Sequence, residues 1–393
     1  MFMDSAVSSL PLQSQAGLGS PRIAGGTPVG GEPRLVLAGE GVIPDPAPGE
    51  ISRRWGLDPS LCFLNHGSYG AVLDTVRAAQ GEIRDRMERD PVRFFKVDLE
   101  GLVDRARVAL GGLLSCRADD LAPVRNATVG LCTIFQNYPW KAGDEIVVTD
   151  HEYSSGQYEL ERVAQARGIR VVTAAVPFPV AGPADVLAAV ERCMTSRTRM
   201  VMVSHVTSCS SLIFPVAKIA ALCKARGVDL LIDGAHAPGQ VEVDIAALDP
   251  AFYVGSLHKW LGAPRGASFI YVREDLQGGF RTVALSSRAK KVRADRALFL
   301  RDFDYMGTDD YSAFLAVPEA IEGGAALASG GWKSVMEHNH RLVLEGVEVH
   351  GGGEAGRRGV RPRQIFQRRP IIAAAGRHQS RPRPYFESPC ARG

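Results

Sequence analysis

Four short stretches hold side chains that could do chemistry together. In GSLHKWLGAPRG (255–266), Lys259 stands between His258 and Trp260, ahead of a Gly-Pro turn. A lysine partly stripped of water has a lowered pKa and a free amine, which makes it a nucleophile toward carbonyl carbon. In LLIDGAHAPGQ (230–240), an apolar run ends in Asp233, with His236 three residues on. A carboxylate at the end of a buried run needs a cationic partner, because an unpaired buried charge is costly. In VRNATVGL (124–131), Asn126, Ala127 and Thr128 lead from a turn into a helix. Backbone N–H groups and the Thr128 hydroxyl at such a helix start suit a phosphate. In TDHEYSS (149–155), His151 or Tyr153 offers a ring that can stack on a flat heteroaromatic face.

Singly, each stretch also fits a plain reading: a surface lysine, a helix N-cap aspartate, a capped helix, a surface turn. Their order decides between the readings. Phosphate turn, stacking ring, acid and lysine follow one another, with Lys259 26 residues after Asp233 (259 − 233). Pyridoxal 5′-phosphate is a ligand that uses all four. Its ring nitrogen is the cation that Asp233 requires, and a protonated ring acts as an electron sink.

These residues must be held by a scaffold, and the pattern around them describes one. DEIVVTD (144–150), IRVVTAAV (169–176), RMVMVSHV (199–206), VDLLIDGA (228–235) and AFYVGS (251–256) are short runs rich in β-branched residues. Helical stretches lie between them at 155–167, 183–193 and 215–226, and two amphipathic helices precede them at 71–90 and 97–115. Val76, Ile83 and Met87 form one stripe of the first. Apolar strands alternating with helices predict an α/β fold, a mostly parallel sheet covered by helices on both faces. Ligands in such folds lie at the carboxyl ends of the strands, where all four stretches fall.

Outside 50–345 the composition changes. Residues 1–49 are Gly-, Pro- and Ser-rich without a sustained period and read as a disordered leader. Residues 346–393 read as an Arg/Gly/Pro-rich tail, with ten arginines, no lysine and the single acid Glu387 from Arg357 onward. Such lysine-free sequence looks like a shifted reading frame of a GC-rich gene. Polyanion binding through those arginines is the competing reading, but a net charge of only +3 and the tail's few aromatic residues argue against a nucleic-acid partner. Seven scattered cysteines without a CxxC pair suggest neither a metal site nor a disulfide framework, and a reduced cytoplasmic protein is expected. No apolar run approaches the roughly 20 residues of a membrane helix.

FLNHGSYGAV (63–72), MERDPVRFF (87–95), SHVTS (204–208), SLHKWLGAPRG and GTDDYSAFLAVPEAI (307–321) extend the pattern. Together the motifs resemble the class V aminotransferase family of fold type I pyridoxal-phosphate enzymes, and within it the isopenicillin N epimerase-like branch, over about residues 52–345. The resemblance implies that Lys259 carries the cofactor as a Schiff base and that Asp233 pairs with the ring nitrogen. It places His236 and Thr207 or Ser208 beside the ring, and Thr128, Ser256 and His258 at the phosphate. Gly307 and Thr308 would reach the phosphate of a second subunit, which implies a homodimer, and Asn65, His66 and Arg93 would meet an amino-acid-type substrate. The small C-terminal domain of the family is expected to be truncated or altered here. Epimerisation at Cα is the implied activity. A carbon–sulfur lyase, similar to hercynylcysteine sulfoxide lyases or cysteine desulfurases, and an impaired or inactive protein of the same fold remain alternatives.

Overall fold

The computed structural model describes residues 49, 51–59, 63–291 and 293–351, the last five as backbone alone. The expected leader and the arginine-rich tail lie outside the described residues, apart from their inner ends.

Seven strands form one sheet: β1 (Leu121–Val124), β2 (Glu145–Thr149), β3 (Arg170–Ala174), β4 (Thr198–Ser204), β5 (Asp229–Gly234), β6 (Phe252–Ser256) and β7 (Ser268–Val272). Their order is β1-β7-β6-β5-β4-β2-β3. β2, β3, β4, β5 and β6 pair in parallel, while β7 is antiparallel to both neighbours, so β7 alone runs in reverse. The five strands expected from sequence are all present, within a few residues of their expected ends. β1 and β7 are additional. Pro123 cannot donate to a ladder and speaks against a strand, but β1 lies at the sheet edge, where proline is tolerated.

The helices before the sheet are α1 (Asp74–Arg89), α2 (Pro91–Arg93) and α3 (Leu99–Leu114), joined by a π-helical turn at Phe94–Asp98. Between strands come α4 (Ala127–Asn137), α5 (Ser154–Arg167), α6 (Pro183–Cys193), α7 (Val216–Arg226) and α8 (Ile245–Leu248). After β7 follow α9 (Leu298–Asp304), α10 (Ser312–Leu315), α11 (Val317–Ala325) and α12 (Gly331–Gly351).

Both sheet faces are buried, which is why the strands read as unbroken apolar runs. In β4, Val201 and Val203 join the core under α3, α6 and α7, while Met200 and Met202 join the core under α4, α5 and α9. Phe252 and Val254 of β6 face the second core and Tyr253 faces the first. Each fully buried aliphatic or aromatic side chain stabilises the fold by about 1.5–3 kcal/mol. The expected stripe of α1 is turned inward, with Val76 and Met87 buried and Ile83 partly so. The chain therefore leaves β1, β2, β4, β5 and β6 at one edge of the sheet.

Candidate active site

Lys259 lies in the turn after β6, and its Nζ is 2.9 Å from His236 Nε2, in the loop after β5. The other nitrogen of that ring, Nδ1, is 3.3 Å from Trp260 Nε1. An indole nitrogen only donates, so Nδ1 accepts and the neutral imidazole carries its hydrogen on Nε2. That hydrogen points at Lys259 Nζ, a contact that favours the neutral amine. The electrostatics agree. Burial lowers the Lys259 pKa, against the opposing attraction of Asp233, and burial with the nearby Lys259 charge pushes His236 down to about 3. A lowered pKa makes the free amine, with its lone pair available for attack, easier to reach.

Asp233 ends the apolar run of β5 and is 6% exposed. Its Oδ1 accepts from Ala235 N–H at 2.9 Å, and among the described residues no ion pair reaches it. Burial raises its pKa, with the Ala235 N–H and Lys259 working the other way. A buried carboxylate with one hydrogen bond and no counter-ion fits a ligand that brings the cation.

At the start of α4, Asn126 Oδ1 accepts from Val129 N–H at 2.9 Å. That cap leaves the N–H groups of Ala127 and Thr128 for another acceptor, at the positive end of an 11-residue helix and beside an exposed Thr128. Ser256 closes β6 and is buried. His258 holds Ala267 O with Nδ1 at 3.2 Å, which leaves Nε2 as the ring's second polar atom, and burial lowers its pKa.

The turn after β2 brings both expected rings to this edge. Tyr153 faces the amine, with Lys259 Nζ 5.9 Å from its ring centroid. His151 is buried, and its Nδ1 meets Ser210 Oγ at 2.7 Å; Ser210 Oγ in turn meets Thr207 Oγ1 at 2.7 Å. Thr207, Ser208, His236, Trp260 and Asn65 line a common cleft of about 180 Å³. Asn65 is folded on itself, its side chain bonding Ser68 N–H at 3.1 Å and Ser68 Oγ at 2.8 Å. His66 lies behind the lysine turn, its ring 6.0 Å from Trp260.

Of the expected residues, Asn65, Thr207, Ser208 and His236 line this cleft, while Arg93 does not, and Gly307 and Thr308 were expected at the phosphate of a second subunit. Arg93 ends α2 with its side chain 68% exposed and Asp98 3.7 Å away. Gly307 and Thr308 lie in the segment before α10, where Gly307 O accepts from Tyr311 OH and Thr308 Oγ1 meets Tyr305 OH at 3.2 Å. Their neighbour Asp309 pairs with Arg125, next to the phosphate turn. Sequence reasoning missed other groups. Glu152 sits in the TDHEYSS stretch, which also fits a surface turn, and Ser210 lies outside every stretch singled out. Gln240 also lines the cleft, and its Oε1 is buried without a partner among the described residues. Cys209 Sγ, passed over as a scattered thiol, lies 3.5 Å from His151 O.

Residues 93–348 match the family described as Aminotransferase class-V. The chain is 36% identical over 290 residues to an isopenicillin N epimerase of Amycolatopsis lactamdurans, an alignment covering 70% of this chain and 72% of that one. A probable chloroplastic L-cysteine desulfhydrase of Arabidopsis thaliana is 28% identical, covering 73% of this chain and 63% of that one. Among solved structures, a C-DES mutant with glycine covalently linked to its PLP cofactor superposes with a TM-score of 0.63. It is 20% identical, over 71% of this chain and 74% of that one, and likeness at that level speaks to fold alone. No helix among the described residues is long and apolar enough to cross a membrane. The chain belongs to the class V aminotransferase family, whose cofactor is pyridoxal 5′-phosphate.

Proposed function

We propose that the chain uses pyridoxal phosphate to act at the Cα of an amino-acid-type substrate, and that its reaction is epimerisation of the isopenicillin N epimerase kind. The observation that carries this reading is Lys259 Nζ, 2.9 Å from His236 Nε2 with its pKa lowered by burial, together with a buried Asp233 that no ion pair reaches among the described residues. The identity to an epimerase, 36%, favours this outcome over others open to the family.

Lys259 would hold the cofactor, with Asp233 at its ring nitrogen and His151 or Tyr153 over its face. The Ala127 and Thr128 N–H groups, the Thr128 hydroxyl, Ser256 and His258 would take its phosphate. Thr207 or Ser208 and His236 would border the ring, and Gly307 and Thr308 of the partner subunit would complete the phosphate site in a homodimer. When bound, the cofactor supplies an electron sink for charge developing at Cα. Lys259 would serve as the general base that removes the Cα proton. His236 fixes the amine's direction and takes no proton itself near neutral pH, given its low pKa. Epimerisation needs the proton returned from the opposite face; loss of a β-substituent after the same first step gives a lyase. The likeness to a probable cysteine desulfhydrase supports that second outcome. We assign this work to a domain spanning about 50–345, in a cytoplasmic protein.

Incubated with pyridoxal phosphate, the full chain is expected to turn yellow, with a band at roughly 410–430 nm that borohydride removes and that Lys259→Ala lacks. A colourless wild-type chain refutes the proposal. Turnover in deuterated water then separates the outcomes. An epimerase places deuterium at Cα in both stereoisomers, whereas a lyase releases ammonia and a keto acid.

A further inference from the structure

Glu152 has no part in the site as expected from sequence, yet it is a buried acid, 7% exposed in the turn after β2. Its Oε1 accepts from Thr149 Oγ1 at 2.5 Å and from Ser204 N–H at 3.2 Å, and its Oε2 accepts from Ser204 Oγ at 2.6 Å. Thr149 is the last residue of β2 and Ser204 the last of β4, so one carboxyl group ties two strand ends together. Ser204 is also the register partner of Asp233 on β5. Paired residues of neighbouring strands project from the same face. The Ser204 hydroxyl thus stands between two buried carboxyls, one on either side.

A buried carboxyl is usually there to neutralise a cation or to satisfy donors. Among the described residues no cation pairs with Glu152, and all three donors that converge on its two oxygens are neutral. What an acid adds is charge. The charged group acting on it is Asp233, across β4; Thr149 from β2 and Ser204 from β4 contribute only neutral donors, and Lys259 acts on Asp233 from beyond.

We propose that Glu152 is a positioning residue for the cofactor site: it locks the ends of β2 and β4 through Thr149 and Ser204, and its charge sets the field in which Asp233 holds the cofactor ring. This rests on the functional reading above. Burial, reinforced by the Asp233 charge, raises the Glu152 pKa to about 7, against the hydrogen bonds from Ser204 and Thr149. Glu152 therefore carries a proton below neutral pH and loses it as pH rises through neutrality. Its ionisation puts a second negative charge beside Asp233, which favours every protonated state of the bound cofactor. The absorbance of the holoprotein is then expected to inflect near neutral pH, from a group that is not on the cofactor.

The test is a pH titration of the bound-cofactor absorbance in wild type, Glu152→Gln and Ser204→Ala, each as full chain loaded with pyridoxal phosphate. Glu152→Gln keeps the shape and one of the two acceptor oxygens, and the Ser204 hydroxyl can turn to accept from the amide N–H, so the cofactor should still bind and still be fixed by borohydride, but the neutral inflection should vanish. Ser204→Ala removes a donor that favours the anion, so the inflection should move to higher pH. That second variant keeps the idea testable if the first fails to fold. Identical titrations in all three chains overturn the proposal while leaving the Lys259 reading intact. A wild-type chain that binds no cofactor overturns both.

Discussion

Asp233→Asn is expected to leave pyridoxal phosphate fixed to Lys259 while lowering turnover by about 10²- to 10⁴-fold. The asparagine Oδ1 can still accept from Ala235 N–H, so the loop after β5 keeps its shape. What the amide cannot do is hold a positive charge on the ring nitrogen. Breaking one side of a buried ion pair costs about 3–5 kcal/mol, and each 1.36 kcal/mol on a barrier is about tenfold in rate. The apoprotein should respond in the opposite sense. Burial raises the Asp233 pKa, so the folded state binds the proton more readily than the unfolded chain does. Above the unfolded pKa the ionised form is a burden on the fold, and that burden is complete once pH exceeds the raised value. Replacing it by a neutral amide removes the burden, so at pH 7 apo Asp233→Asn should melt no lower than apo wild type. Thermal melts with and without cofactor, beside steady-state rates, read both effects. Undiminished turnover in the variant would mean that Asp233 does not face the ring nitrogen.

The same physics explains how much of the molecule was legible in its sequence. β2, β4, β5 and β6 were readable because a strand buried on both faces must be apolar at every position. β7 escaped because it follows the Gly-Pro-rich lysine turn, and β1 because Pro123 is acceptable only on an edge, a position no local pattern reveals. In the site, Asp233 and the Asn126 cap could be picked out as candidates because one ends an apolar run and the other opens a helix. Glu152, Ser210 and Gln240 could not. DHEY reads as a surface turn, and only the fold shows that His151 and Glu152 are 7% exposed, tucked under the ends of β2 and β4. Ser210 is legible only through the His151 ring it holds. Arg93 was placed at the site by a motif alone, and within the described chain it stands exposed at the end of α2, beside Asp98.

Gly70→Ala is the second large effect expected, and it acts on the amine without touching it. The loop of residues 63–72 runs directly over the lysine turn, and Gly70 N–H donates to His258 O at 3.0 Å. A Cβ at Gly70 would fall 2.2 Å from His258 O and 2.3 Å from Lys259 O. Both obstacles are backbone atoms, so no side-chain rotation relieves them, and each carbonyl must retreat by most of an ångström. Overpacking of this kind costs about 1–3 kcal/mol of stability. The larger consequence is geometric, because the displaced carbonyl belongs to Lys259 itself. A misplacement near 1 Å at a reacting group costs about 10²-fold in rate. Gly67→Ala is the matched control. Its Cβ would meet His236 Cε1 and Trp260 Cζ2, each at 3.2 Å, which are side-chain atoms that can give by a few tenths of an ångström. The pair should therefore separate, with kcat/KM and the rate of cofactor uptake falling about 10²-fold in Gly70→Ala and much less in Gly67→Ala. Equal losses would place the effect in the loop as a whole, and no loss in Gly70→Ala would mean that the 63–72 loop does not rest on the lysine turn in solution.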